Sequence, residues 1–397
     1  MRADAVTADR SEAVRRAARS WRKAGAIDEP AEAAVAAAYP DDRARVGPVF
    51  RILLFVFTLI AVNGAFGFGM LLVDGFRGSG GTFAALAFVY GLLLAALTEW
   101  QIGSGRRSQG GTEAATSFAA LGAVIGATAW FVFEGMDLRG APALAVLFLT
   151  AALLLAGAAW RWGYPLYAGA AAAALLGVVG TLPGGRILWI VLPALAAPFL
   201  ARLAEAARLP PTHRASWAAV LVVALTGLYV AVHLGSFDSG LIEELRDLHL
   251  PGGMPRNDLF RWLSAAGTAI VPLVYLGVGI RTRRYPFLLV GLGTAVASLV
   301  TLRYYVHLAS LWVVLAASGA ALILLVLALR RSLDSGAEKE RGGFTAEPLF
   351  EDAGRRRLLE AGAAVVSLSP EARNLRQEPR YTGGGGEFGG GGASSDF

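Results

Sequence analysis

Long apolar runs separated by short polar loops dominate the chain between residues 50 and 330. Most runs approach the roughly 20 residues that an α-helix needs to cross a hydrocarbon layer about 30 Å thick. Because a backbone in lipid must satisfy its own hydrogen bonds, such runs predict membrane-spanning helices. We predict ten spans, over residues 50–73, 82–97, 114–132, 141–160, 164–181, 187–203, 215–232, 259–280, 285–302 and 311–329.

Residues 1–49 are charged and rich in alanine, and they predict a short helical hairpin ahead of the first span. Alanines recur at helical spacing until Gly25 interrupts the first helix. Asp28 is a suitable N-cap for a second helix with Pro30 in its first turn, and Tyr39 and the proline after it end that helix.

The composition changes again after the last span. Residues 331–397 are charged and contain one predicted helix, over 352–366, which either lies on the membrane surface or is solvated. Glycines 383–386 and 389–392 predict a disordered, Gly-rich end. The chain therefore divides into a hairpin (1–49), a transmembrane bundle (50–330) and a tail (331–397).

Basic residues follow every second span. Arginine and lysine in short loops are retained on the cytoplasmic side of a membrane. The residues in question are Arg106, Arg107, Arg161, Arg202, Arg208, Arg214, Arg281, Arg283, Arg284, Arg330 and Arg331. This alternation predicts an even number of spans, with both the N-terminus and the C-terminus in the cytoplasm.

Composition supports the same fold class. The chain is 55% hydrophobic and only 17% charged, which is too apolar for a single water-soluble core. Its formal charge of +6 comes from loop arginines, so no nucleic-acid partner is expected. The absence of cysteine excludes disulfides and thiolate chemistry. We expect an all-α protein, a polytopic membrane helix bundle whose first partner is the lipid bilayer.

Motifs for catalysis are absent from the sequence. The chain has no P-loop, no His-Glu-x-x-His and no Gly-x-Ser-x-Gly pattern. His233, His249 and His307 fall near acidic residues on the predicted outer side, but their spacing matches no metal-ligand motif. We therefore expect no enzymatic activity, no cofactor, no metal site and no catalytic residue.

Polar residues at membrane depth are the first candidates for ligand binding, because they are costly in lipid. Asn63 lies midway along the first span, next to Gly64, where its amide either binds a substrate or bonds a neighbouring helix. Glu134 lies at the outer end of the third span, as a ligand or as a solvated interfacial carboxylate.

A polar and aromatic cluster follows the ninth span. It consists of Arg303, Tyr304, Tyr305 and His307, shortly before Trp312. Arg303 is suited to binding an anion, and His307 to relaying a proton. The other interpretation is an interfacial belt, in which tyrosine and tryptophan lie at the headgroups and arginine extends to the same level.

The segment Trp21-Arg-Lys-Ala-Gly-Ala-Ile, followed by an Ala- and Glu-rich helix and by Tyr39-Pro40, resembles the start of a family of predicted bacterial multi-pass membrane proteins of unknown function. The resemblance covers about the first seventy residues. It implies a bacterial inner (cytoplasmic) membrane protein, and it supplies no activity and no site residue.

Two functional hypotheses remain open. The first is a non-enzymatic membrane or envelope module whose hairpin and Gly-rich tail bind cytoplasmic protein partners. The second is a secondary transporter for a small or hydrophobic solute, because ten spans can divide into five plus five as inverted repeats. We favour the module, since transport should require more polar residues inside the spans than Asn63 and a few hydroxyls.

Overall fold

The computed structural model describes residues 3–23, 25–40, 43, 46–74, 80–105, 110–234 and 258–306, with isolated positions between 313 and 331 and residues 340–341 and 344–345. These parts of the chain contain eleven α-helices: α1 (Ala3–Lys23), α2 (Glu29–Ala38), α3 (Pro48–Asp74), α4 (Gly80–Gly103), α5 (Thr112–Trp130), α6 (Gly140–Trp162), α7 (Pro165–Gly180), α8 (Gly185–Glu205), α9 (Pro211–Val232), α10 (Asp258–Thr282) and α11 (Tyr285–Val306). A π-helical turn, Phe131–Gly135, extends α5.

The predicted helical architecture is confirmed for the first nine spans, which correspond to α3 to α11. Seven of these helices are long and apolar enough to cross a membrane, and α7 and α11 are apolar but shorter. The tenth predicted span is described only at scattered positions, so the count of ten stays a prediction. The predicted helix 352–366 and the Gly-rich end lie outside the described residues.

A short antiparallel pair of strands follows the bundle. The strands β1 (Glu340–Arg341) and β2 (Phe344–Thr345) contain two residues each, and Glu340 pairs with Thr345. They are too short to alter the all-α class.

The two predicted N-terminal helices are present as α1 and α2. Asp28 caps α2 by accepting a hydrogen bond from the backbone N–H of Ala31 at 2.9 Å. The guanidinium of Arg22 donates to Glu32 at 2.8 Å across the hairpin. This hydrogen bond, followed by the charges of Glu29 and Glu32, raises the pKa of Arg22.

Interhelical ion pairs show that the bundle helices alternate in direction. Arg161 near the end of α6 forms a bidentate pair with Glu99 near the end of α4, at 2.7 and 2.9 Å. Arg284, between α10 and α11, forms a similar pair with Glu205 at the end of α8. We call this side, where α4, α6, α8 and α10 end, the basic end of the bundle.

Sequential helical hairpins form the bundle. The most extensive contacts join α4 with α5, α6 with α7, α8 with α9 and α10 with α11. The hairpins then pack on one another mainly through odd-numbered helices, as in the contacts of α7 with α9 and of α9 with α11. The first helix, α3, packs chiefly on α5.

Small residues line these contacts, as expected where packing rather than hydrophobicity drives helix association. Ala158 and Ala159 of α6 pack with Ala168 of α7 in one buried cluster. The largest buried cluster joins α8, α9, α10 and α11, where the Tyr275 hydroxyl donates to the Leu225 carbonyl at 2.8 Å.

Several helix ends differ from the predicted bounds, and two of these differences affect the candidate site. The helix α4 continues to Gly103 instead of ending at 97, and α5 starts at Thr112 instead of 114. Polar side chains at both ends find partners between the helices, so the helices extend beyond the apolar runs. Glu113 therefore belongs to α5.

Candidate functional site

A buried polar cluster lies between α4, α5 and α7 at the basic end. Its members share deep burial or an electrostatic interaction with buried Glu113, and we call them the Glu113 cluster: Thr98, Gln101, Glu113, Thr116, Ser117, Tyr164 and Tyr167. Polar side chains buried at the end of an apolar bundle are costly unless hydrogen-bonded, so this cluster is the main candidate site.

Thr98 and Thr116 fix the register between α4 and α5. Both side chains are essentially inaccessible, and their hydroxyls lie 2.9 Å apart. The two helices run antiparallel, so Gln101, three residues after Thr98, and Glu113, three residues before Thr116, lie at the same level nearer the basic end.

Glu113 is completely buried near the start of α5. Its carboxyl group accepts a hydrogen bond from the backbone N–H of Gly110, and the Thr112 hydroxyl lies 3.3 Å from its second oxygen. The Tyr164 hydroxyl lies near this carboxyl group, and the two groups interact electrostatically. An acidic group in the first turn is further stabilised by the helix dipole.

Tyr164 lies in the turn between α6 and α7, outside both helices. Burial, followed by the neighbouring Glu113 carboxyl group, raises the pKa of its hydroxyl well above the ordinary value. The hydroxyl therefore stays protonated beside Glu113.

Gly111 brings the start of α5 against the start of α3. It adopts a φ of +103°, and a Cβ atom at this position would collide with the Arg51 carbonyl oxygen. The Arg51 guanidinium is close enough to Tyr164 to act on it electrostatically. Two buried polar atoms here, Arg51 Nε and Gln101 Oε1, have no hydrogen-bond partner among the described residues.

Ser117 and Tyr167 extend the cluster from α5 to α7. Their hydroxyl oxygens lie 2.5 Å apart, and the Ser117 hydroxyl also donates to the Ala114 carbonyl at 2.9 Å. Thr98, Thr116 and Ser117 thus continue the polar path from Glu113 for about one helical turn. The hydrogen bonds of this arrangement tie α4, α5 and α7 together.

A second polar cluster lies at the opposite end, between α9, α10 and α11. His233 Nε2 is 2.9 Å from the Thr301 hydroxyl, and the Thr268 hydroxyl accepts a hydrogen bond from the Leu234 N–H at 2.8 Å. His233 follows the last residue of α9, and burial lowers the pKa of its ring. Arg186 at the start of α8 donates to the Ala231 carbonyl at 2.7 Å.

The N-terminal hairpin docks on the basic end through Asp9. One carboxylate oxygen of Asp9 accepts hydrogen bonds from the Thr212 backbone N–H and hydroxyl, both at 3.2 Å. Pro210, at the N-cap of α9, makes no capping hydrogen bond of its own. Asp9 therefore caps α9 from a position 203 residues away in sequence.

Asn63, a predicted ligand-binding residue, lies on the exposed surface of α3. Its amide donates to the Leu59 carbonyl of the same helix at 2.7 Å. The interhelical hydrogen bond that we considered for Asn63 is thus replaced by one within α3. The Tyr90 hydroxyl of α4 instead donates to the neighbouring Val62 carbonyl at 2.6 Å.

Glu134 lies in the π-helical turn after α5, with more than half of its side chain exposed. Arg139 pairs with Asp137 at 3.1 Å and lies 3.8 Å from Glu134. Glu134 therefore lies at the surface of the described bundle.

Three of the remaining predicted site residues, Arg303, Tyr304 and Tyr305, belong to the end of α11. The backbone of Arg303, Tyr304 and Tyr305 is helical and continues from Thr301, which contacts His233. His307 lies outside the described residues. The predicted segment and the His233 cluster therefore occupy the same end of the bundle.

The Glu113 cluster was missed at the level of sequence because apolar runs exclude charged residues at span ends. One signal was available: Thr112, Thr116 and Ser117 recur at helical spacing around Glu113. Thr98 and Gln101 form a matching stripe at the end of the preceding run.

Comparison with known proteins gives no match among protein-family models, curated proteins or solved structures. Among the described residues, no group of three or more histidine, aspartate and glutamate side chains is arranged to hold a metal ion.

Proposed function

We propose that the chain is a ten-span protein of the bacterial inner membrane with both ends in the cytoplasm, and that it acts as a non-enzymatic membrane or envelope module. The resemblance of residues 21–40 to a family of such proteins supports this location. Arg161, Arg202 and Arg284 lie at the basic end, as the positive-inside rule requires of a cytoplasmic face.

One observation carries the proposal: the hairpin is fixed to the bundle by Asp9. A hairpin docked in this way has a defined orientation, unlike a flexible tether. Its surface includes Trp21, which is 52% exposed, and a shallow groove between α1 and α2 whose lining includes Arg15, Arg19 and Glu32. Exposed tryptophan and arginine are typical of protein-binding surfaces, so the hairpin is suited to a cytoplasmic protein partner.

The alternative is a secondary transporter, and the Glu113 cluster favours it. Fully buried Glu113 adds a polar residue to the few, such as Asn63, that the sequence analysis counted inside the spans. The packing of the hairpins counts against a five-plus-five inverted repeat. Such a repeat would make α9–α10 the equivalent of α4–α5, whereas α9 pairs far more extensively with α8 than with α10.

Complementation of a null strain tests the module. The full chain is compared with variants that lack residues 1–40, residues 346–397 or both, each checked for insertion in the membrane fraction. We expect the double deletion to insert and to lose function, because the bundle remains and the partner-binding ends are gone. Full complementation by the inserted double deletion would refute the module and leave transport as the better explanation.

A matched point variant sharpens the test. Asp9→Ala should weaken the docking of the hairpin and reduce complementation, whereas Glu29→Gln, at an exposed position in the same hairpin, should not. Equal function of the two variants would argue that docking of the hairpin is irrelevant.

A further inference from the structure

The helix α3 is the most exposed helix of the described bundle. No residue of its apolar stretch Val49–Leu72 is buried. One face packs on the neighbouring helices, with Phe55 against Phe118 of α5 and Phe66 against Tyr90 of α4. The rest of α3 faces outward.

Most of this outward surface is suited to lipid, because its side chains are leucine, isoleucine, valine and phenylalanine. Asn63 is the exception. Its amide nitrogen is bonded to Leu59, but its carbonyl oxygen has no partner among the described residues. An amide oxygen that faces hydrocarbon near the middle of a span is costly, whereas an amide bonded across a helix interface is stabilising.

The residues around Asn63 have the spacing of a helix–helix seam. Val56, Ile60, Asn63 and Gly67 follow one another at intervals of four, three and four residues, as the a and d positions of a heptad do. All four are exposed. A Cβ atom added at Gly64 or Gly67 would meet no other atom within 4 Å, so a second backbone can approach closely here.

We propose that this seam is a homodimer interface, in which α3 packs against α3 of a second copy of this chain. All copies insert with the same orientation, so the two helices run parallel and a two-fold axis brings Asn63 opposite Asn63. An amide is both donor and acceptor, and two of them complement each other at that axis. A single asparagine at such a position also fixes register in parallel helix pairs. The inference requires only that α3 crosses the membrane.

Disulfide crosslinking tests the interface directly, because the full chain contains no cysteine. Val56→Cys and Ile60→Cys introduce a thiol in the seam. Leu54→Cys and Ala61→Cys are the matched controls, since both are exposed, lie one or two residues away and face another direction. Oxidation in native membranes should give a band at twice the monomer mass of 41.5 kDa for the seam variants and not for the controls.

The role of Asn63 is tested in the Val56→Cys background. Asn63→Leu should lower the association constant of the dimer about fivefold, which is the effect of losing one interhelical amide hydrogen bond. Asn63→Gln should retain part of the dimerisation that Asn63→Leu loses. Equal crosslinking of seam and control variants, or crosslinking unaffected by Asn63→Leu, would overturn the interface.

A double variant tests whether the chain covers its own seam. In Val56→Cys combined with Ala316→Cys, a disulfide formed within one chain at monomer mass would overturn the interface, because the tenth predicted span would then occupy the seam. We expect the dimer band instead. Each variant is also checked for monomer in the membrane fraction. Its presence there shows that the variant inserts, so a missing dimer band reports on the interface and not on insertion.

Discussion

Replacing Asp9 with alanine removes the carboxylate by which the N-terminal hairpin caps α9. Both hydrogen bonds to Thr212, from its backbone N–H and its hydroxyl, end on the same carboxylate oxygen at 3.2 Å. In Asp9→Ala the first turn of α9 must find water instead. The hairpin itself should stay folded, because the Arg22–Glu32 and Asp28–Ala31 hydrogen bonds do not involve Asp9.

The size of the effect follows from known capping energies. Losing an N-cap costs about 0.5–2 kcal/mol. Asp9 and Thr212 are both only partly buried and both bonds are long, so we expect about 1 kcal/mol. That energy corresponds to roughly a fivefold shift from docked to undocked hairpin.

Hydrogen exchange followed by mass spectrometry, on the full chain in lipid nanodiscs, measures this shift. Amides of α1 and of the first turn of α9 should exchange about fivefold faster in Asp9→Ala. Asp9→Asn should give a smaller effect because it keeps an acceptor and loses the charge, and Glu29→Gln should match the wild type. Unchanged exchange of α1 in Asp9→Ala, or a loss of protection spread over the whole bundle, would refute this account of the docking.

Four further outcomes are expected. Glu113→Leu should lower the midpoint of thermal unfolding in detergent, because the Gly110 N–H loses a buried acceptor at about 1–3 kcal/mol, while Glu113→Gln should cost less; equal midpoints would contradict the assigned bond. Gly111→Ala should reduce the yield of folded protein by forcing a collision with the Arg51 carbonyl, with the exposed Gly122→Ala as the control. Tyr167→Phe should cost about 1 kcal/mol, measured in the same melts, because Ser117 keeps its bond to Ala114. Burial lowers the pKa of His233, so the stabilisation by neutral His233 is present above the ordinary histidine pKa and is lost as the pH falls below that value. His233→Gln should flatten this part of the curve of stability against pH. An unchanged curve would exclude His233 as the cause of the pH dependence.

Much of the architecture was predictable from the apolar runs. Nine of the ten predicted spans correspond to helices, and most of the helix ends lie within a few residues of the predicted ends. The N-terminal hairpin has the predicted break at Gly25 and the predicted cap at Asp28. The physical reason is strong and local. A long apolar segment in lipid has no water to satisfy its backbone, so helix is the conformation available to it.

The candidate site was harder to predict. Glu134 and Asn63, two of the predicted site residues, both lie on the surface of the described bundle. Glu113 was overlooked because a carboxyl group at the edge of an apolar run looks like a loop residue. Its surroundings include Tyr164, which lies in the turn between α6 and α7 and is brought to it only by the tertiary structure.

By itself, the sequence determined the helices and their alternation, because helix length and the distribution of arginine are properties of consecutive residues. The tertiary structure alone decided which sides of the helices meet. The spans are apolar almost all round, and lipid is as apolar as a protein core, so hydropathy does not distinguish a buried face from a lipid-facing one. Close packing makes that choice through pairs such as Thr98 with Thr116 and Asp9 with Thr212, whose partners are distant in sequence or lie on different helices.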